Sequence, residues 1–126
     1  MARHKPPAGD LDIKLGPGGL VDLEFAVHTL QLIHHQGLDP KLENAIAGLV
    51  AAGLIDGEAD PDLRLLTRML VVLRLMGSEA AMAPADQSRQ LVASLCGADD
   101  WTALLAAAGA ARQRNSARWA AVQEGR

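Results

Sequence analysis

Between residues 12 and 25 the groups able to do chemistry are crowded together: Asp12, Lys14, Asp22 and Glu24 flank the run Gly16-Pro17-Gly18-Gly19. Three glycines in four positions are costly to order, and they permit positive φ angles and close approach of the backbone to another group. Set before a helix, such a loop can turn free N–H groups toward an anion. The chemistry would be phosphate contact, with Lys14 as the cation and Gly16, Gly18 and Gly19 as backbone donors. A tight turn packing the first helix against the preceding segment fits the same residues, and spacing alone favours the turn. The run is not a P-loop, since no Gly-Lys-Ser/Thr follows, and not a G-x-G-x-x-G fingerprint, since residue 21 is valine.

Other reactive side chains are scattered. His28 and His35 lie seven apart with His34 beside them, but no HExxH pattern and no cysteine cluster accompanies them, so they read as surface or helix-end residues. Asp10 and Asp12 imitate a D-x-D metal pair, yet as carboxylates near the start of the chain they are expected to stay solvated. The single cysteine, Cys96, precedes Gly97 at an expected helix end and reads as a small packed residue. No metal ligand and no catalytic residue is assigned on this basis.

The elements that must position the loop are helical. Residues 10–15 alternate polar and apolar, the pattern of a short extended segment, but no later segment offers it a partner strand. A helix is predicted over 20–35 with Asp22 and Glu24 in its first turns, ended by Gly37. A second runs over 40–52, closed by Gly53. A third spans 61–76, opened by Asp60-Pro61 and apolar on most sides, which makes it the buried central helix. Residues 77–83 form a loop, and a shorter helix starting at Pro84 or Asp86 ends before Gly97. Asp99 and Asp100 cap the fifth, whose core face is Trp101, Leu104, Leu105, Ala108, Trp119 and Val122. Arg112, Arg114 and Arg118 crowd its final turns, where the helix dipole favours cations. The expected fold is an all-α bundle of about five helices preceded by a short extended segment and the glycine-rich loop.

Composition agrees. Hydrophobic residues make up 49% of the 126 and charged residues 21%, so the chain can bury a core. A formal charge of -3 gives no general attraction for nucleic acid. The lone cysteine suits a reducing compartment, the cytoplasm. No run of 18 apolar residues occurs and no signal-peptide pattern opens the chain, so neither membrane spanning nor secretion is expected. Residues 1–9, with two prolines and basic side chains, read as a flexible lead-in whose abrupt start suggests a truncation.

The stretch Asp12-Ile13-Lys14-Leu15-Gly16-Pro17-Gly18-Gly19-Leu20-Val21-Asp22-Leu23-Glu24-Phe25 closely resembles the D-x-K-x-G-x-G-G-(I/L)-x-D-(I/L)-E-F signature of bacterial glutamine synthetase adenylyltransferases. Val21-Asp22 is more similar to the C-terminal, adenylylating half of that family than to its N-terminal half. Gln31 and Leu32, Asn44, the leucine-rich 65–75 helix and the tryptophan-bearing last helix extend the likeness over nearly the whole chain. Val72-Leu73-Arg74-Leu75-Met76 departs from the commoner Phe-Leu-Arg and glutamate pattern, which leaves that helix without an implied role.

The resemblance implies a helical domain over 10–126 that follows a nucleotidyltransferase core. In that family the core's Gly-Ser and Asp-x-Asp residues bind Mg²⁺ and ATP, and AMP is transferred to a tyrosine of glutamine synthetase under control of the PII signal protein. This chain has no Gly-Ser followed by an Asp-x-Asp, so it is expected to be inactive by itself, since such transfer needs carboxylates to hold Mg²⁺ against the phosphates. Lys14, Gly16, Gly18, Gly19, Asp22 and Glu24 become the residues expected to meet nucleotide or the core. Two alternatives stay open: the corresponding region of a PII uridylyltransferase, against which Glu24-Phe25 weighs, and a freestanding helical module that docks glutamine synthetase or PII.

Overall fold

A computed structural model describes residues 12–76 and 85–125. The expected lead-in, Asp10 and the 77–83 loop therefore lie outside the described residues. Among those described there are five helices and no strand: α1 (Leu20–His34), α2 (Leu42–Ala51), α3 (Ala59–Leu75), α4 (Asp86–Leu95) and α5 (Trp101–Gln123). The all-α bundle is the predicted fold.

Each helix follows from where its apolar residues fall. In α1 the buried set Leu23, Ala26, Val27, Leu30 and Gln31 repeats at three and four residues, one face of a helix. The helix stops at His35, which adopts φ 55 and returns its N–H to Gln31. The buried Gln31 amide then donates to the Gly37 and Asp39 carbonyls at 2.6 and 3.3 Å, fastening the connection to α2. Gly53 and Gly97, at φ 74 and 80, close α2 and α4 as their positions predict. At α5 the Asp100 carboxylate accepts from the Ala103 N–H at 2.7 Å, the expected N-cap.

The helices enclose two apolar clusters. One gathers Leu66, Met69, Leu73, Val92, Leu104 and Ala108 from α3, α4 and the first half of α5, with Ile13 from the segment before α1. The other gathers Leu23, Val27, Leu30, Ile46, Leu49 and Val122 from α1, α2 and the end of α5. Helix α3 packs against all four others, as its apolar sides predict, although Val71 and Leu75 remain exposed.

Three expectations are corrected. Residues 12–15 wind into turns where alternation suggests an extended segment, because Ile13 is drawn fully into the first cluster and Asp12 closes the turn behind it. Helix α3 begins at Ala59, so Asp60 lies inside it and its carboxylate takes a hydrogen bond from Arg64 at 2.7 Å instead of capping. On α5, Leu105 is exposed, and the inward register passes through Leu104, Ala108, Ala111, Asn115, Arg118 and Val122.

Candidate functional site

The segment from Asp12 to the first turn of α1 is a closed knot of hydrogen bonds. Asp12 is only 5% exposed, so it does not stay solvated as expected; its Oδ1 accepts from the Leu15 N–H at 3.0 Å. The Gly16 N–H donates to the Asp12 carbonyl, Gly19 to Gly16, Leu20 to Ile13 and Val21 to Lys14, all at 2.9 to 3.0 Å. The Gly18 N–H donates to Asp22 Oδ2 at 2.8 Å, an N3 carboxylate reaching back across the helix start. The amide groups of all three loop glycines are thus spent inside the chain. An anion meeting this corner would find the exposed Lys14 ammonium before any open backbone donor.

The glycines are needed because the loop lies directly on α5. Gly18 has φ 72, and a Cβ there would collide with the backbone carbonyl of Arg112. A Cβ at Gly16 would come within 2.5 Å of Arg112 Nη2 and of the Asp12 carbonyl oxygen. This is the close approach of backbone to backbone that only glycine permits.

Helix α5 answers the loop with polar side chains. Arg112 Nε donates to the Pro17 carbonyl at 3.2 Å, and the fully buried Asn115 donates through Nδ2 to the Gly18 carbonyl at 3.0 Å. Asn115 Oδ1 accepts from Arg118 Nη1 at 2.5 Å. Arg118 grips Asp56 in the α2–α3 connection with Nε and Nη2 at 2.7 and 2.6 Å, and reaches Asp62 on α3 at 2.8 Å. Arg114 forks onto Asp62 at 2.9 and 2.7 Å. A continuous polar chain therefore links residue 18 to residues 56 and 62 through α5. No buried side-chain polar atom among the described residues lacks a partner.

The electrostatics follow from this pairing. The hydrogen bond from Arg118 holds the Asp56 carboxyl below its ordinary range, against the opposing effect of partial burial. Burial works against the charge on Arg118, but Asp56 and Asp62 together keep its pKa raised. Arg114 and Arg118 of α5 are ion-pair partners of distant acids, a role beyond the dipole effect expected from their place in the helix.

Of the sequence-predicted site residues, Gly16, Gly18 and Gly19 are buried in the loop, Asp22 is half-buried beneath it, and Lys14 and Glu24 are exposed. Val21 lies against the Lys14 carbonyl, so Lys14 flanks the first turn of α1 and Glu24 stands one turn on. From there an exposed stripe of α1 runs through Phe25, His28 and Leu32, with Phe25 also meeting Trp119 at 5.9 Å between ring centres. Asn115, Arg118, Asp56 and Asp62 were missed. For Asn115 and Arg118 a signal is present on α5, where extending the register of Leu104 and Ala108 places 115 and 118 inward. Cys96 is half-buried, and burial raises its thiol pKa. Among the described residues no three His, Cys, Asp or Glu side chains could hold a metal, and no helix is long and apolar enough to cross a membrane.

Residues 2–119 match the model of the GlnD PII-uridylyltransferase family. The chain belongs to this family. Curated relatives of this GlnD-family chain are named bifunctional glutamine synthetase adenylyltransferase/adenylyl-removing enzyme. That of Xanthomonas axonopodis pv. citri is 39% identical over 122 residues, 86% of this chain and 13% of the relative. That of Stenotrophomonas maltophilia is 36% identical over 88% of this chain and 13% of the relative. The Caulobacter vibrioides enzyme is 50% identical over 62 residues, 47% of this chain and 6% of the relative. The GlnD-family chain thus spans about an eighth or less of the length of these relatives, and the likeness to glutamine synthetase adenylyltransferases read from residues 12–25 is found across most of it. No solved structure matches the chain.

Proposed function

We propose that residues 10–126 are the helical C-terminal domain of the adenylylating half of a bacterial, cytoplasmic glutamine synthetase adenylyltransferase. In this reading the domain follows a nucleotidyltransferase core that transfers AMP from ATP to a tyrosine of glutamine synthetase, with PII as regulatory partner. The observation that carries the proposal is the fourteen-position signature folded as one fastened corner, glycines inward and Lys14 and Glu24 outward. The adenylyltransferase names of the relatives support it.

The described residues do not fit Mg²⁺, so the metal and the ATP triphosphate are assigned to the core and no step is routed through a metal here. The domain's own contribution is a cation and a carboxylate held at fixed positions. Lys14 offers charge to a phosphate or to a core carboxylate, and Glu24 offers an acceptor on the same flank. Buried Gly16, Gly18 and Gly19, with Asp22 beneath them, set the shape of the face that meets the core.

The family match favours a second reading, the corresponding domain of a PII uridylyltransferase. One experiment separates the two and tests the domain's inactivity. The chain, alone and joined to its core, is incubated with Mg²⁺ and α-labelled ATP plus glutamine synthetase, or α-labelled UTP plus PII. The expected result is label on glutamine synthetase with the core present and none with the chain alone. Label on PII from UTP would establish the second reading, and transfer by the chain alone would overturn its non-catalytic role.

A further inference from the structure

Gly18 is clamped at both ends of its peptide units. Its N–H donates to Asp22 of α1, and its carbonyl accepts from Asn115 of α5. Asn115 is fully buried at this contact. A side-chain amide could present oxygen or nitrogen to the loop, but Arg118 settles the choice: a guanidinium only donates, so Oδ1 must face it and the NH₂ must face Gly18. Arg118 is in turn held by Asp56 and Asp62. The orientation of the amide is thus set by Arg118 and the Gly18 carbonyl, and Arg118 connects it to acids in a different part of the chain.

What the amide holds is connected to the charged corner. A tilt of the Gly18–Gly19 peptide would strain the Gly19 bond to Gly16. Gly16 rests on Asp12, and Lys14 is tied between that turn and Val21. We propose that Asn115 is a positioning residue: it fixes the Gly18 peptide and, through the loop, the placement of Lys14. The inference rests on the functional reading of Lys14 given above.

The test uses the adenylyltransferase that carries the domain and four variants, with kcat/KM for AMP transfer and thermal stability measured for each. Asn115→Asp keeps the size and can still accept from Arg118, but it loses the donor to Gly18 and sets two oxygens face to face. Asp56→Asn weakens the far end of the network and leaves the Gly18 contact in place. Asn115→Asp is expected to lower kcat/KM by about tenfold or more, while Asp56→Asn at comparable lost stability stays within about twofold. Lys14→Ala is expected to slow transfer, and adding Asn115→Asp to it should cost nothing further, because the amide acts through that lysine. Equal losses in the Asn115 and Asp56 variants, or additive losses in the double variant, would overturn the inference alone. Lys14→Ala at the unaltered rate would overturn the reading of Lys14, and the inference with it.

Discussion

Arg118 and Asp62 meet at 2.8 Å with side chains only 7% and 3% exposed, so an ion pair between α5 and α3 sits inside the bundle. Removing Arg118 leaves the buried Asn115 Oδ1 without its donor and Asp56 without its partner, while Asp62 keeps its fork from Arg114. Arg118→Ala is expected to destabilise the chain by about 1–3 kcal/mol, chiefly from the unsatisfied amide oxygen. Arg118→Met, which restores packing volume but not charge, should recover only part of the loss. Urea denaturation of the two variants checks this, and a loss below about 1 kcal/mol in Arg118→Ala would place the network among ordinary surface pairs.

Two of the left-handed glycines, Gly18 and Gly53, separate strain from collision. Both have φ above 70, but a Cβ at Gly53 meets nothing within 4 Å, whereas one at Gly18 meets the Arg112 carbonyl. Gly53→Ala should therefore cost only the left-handed penalty, about 1–2 kcal/mol. Gly18→Ala should cost roughly 3 kcal/mol or more, since strain and overpacking add. Equal losses in denaturant titrations would mean that the loop can lift from α5 without resistance.

Asp56 gives the bundle an acid-sensitive contact. Its pKa is lowered in the folded chain, so its stabilising contribution is complete above the ordinary carboxylate value of 3.8 and is lost as pH falls through the lower folded value. The stability difference between the chain and Asp56→Asn should be constant from about pH 5 to 7 and shrink below about pH 4. Denaturation midpoints across that range provide the measurement. A difference growing toward acid would reverse the assigned sign.

Cys96 should react slowly with thiol reagents. Burial raises its pKa, and the charge of Arg68 offsets this only in part, so less thiolate is present than in an open cysteine. Modification by a disulfide reagent at pH 8 is expected to run about tenfold slower in the folded chain than in urea. Equal rates would show that the C-terminus of α4 opens readily.

Helix order was legible because its signals are local. Gly53, Gly97 and Asp100 each end or begin an element within a residue or two of themselves, and α1, α3 and α5 carry their buried residues at helical spacing. The fastening of the site was not legible, because its partners lie far apart: Asn115 and Gly18 are 97 residues apart in sequence, and Arg118 and Asp56 are 62 apart. A polar residue midway along a helix is compatible with solvent until the neighbouring helices are placed. Alternation over 10–15 misled for a similar reason, since Ile13 takes its orientation from the cluster it enters and not from a partner strand. The glycine loop could be located from sequence, but whether its amides faced outward or inward depended on α5.

The 97-residue separation between Gly18 and its amide clamp also bears on how the chain comes into being. Polypeptides are made from the N-terminus at about 5–20 residues per second, so roughly 5–20 s pass between addition of Gly18 and addition of Asn115. Throughout that interval the signature segment exists without its clamp, and the α1–α2 pair can form around it. The corner bearing Lys14 can acquire its final shape only after Asn115 has been added, which gives the nascent chain a period in which its charged loop is present but unset.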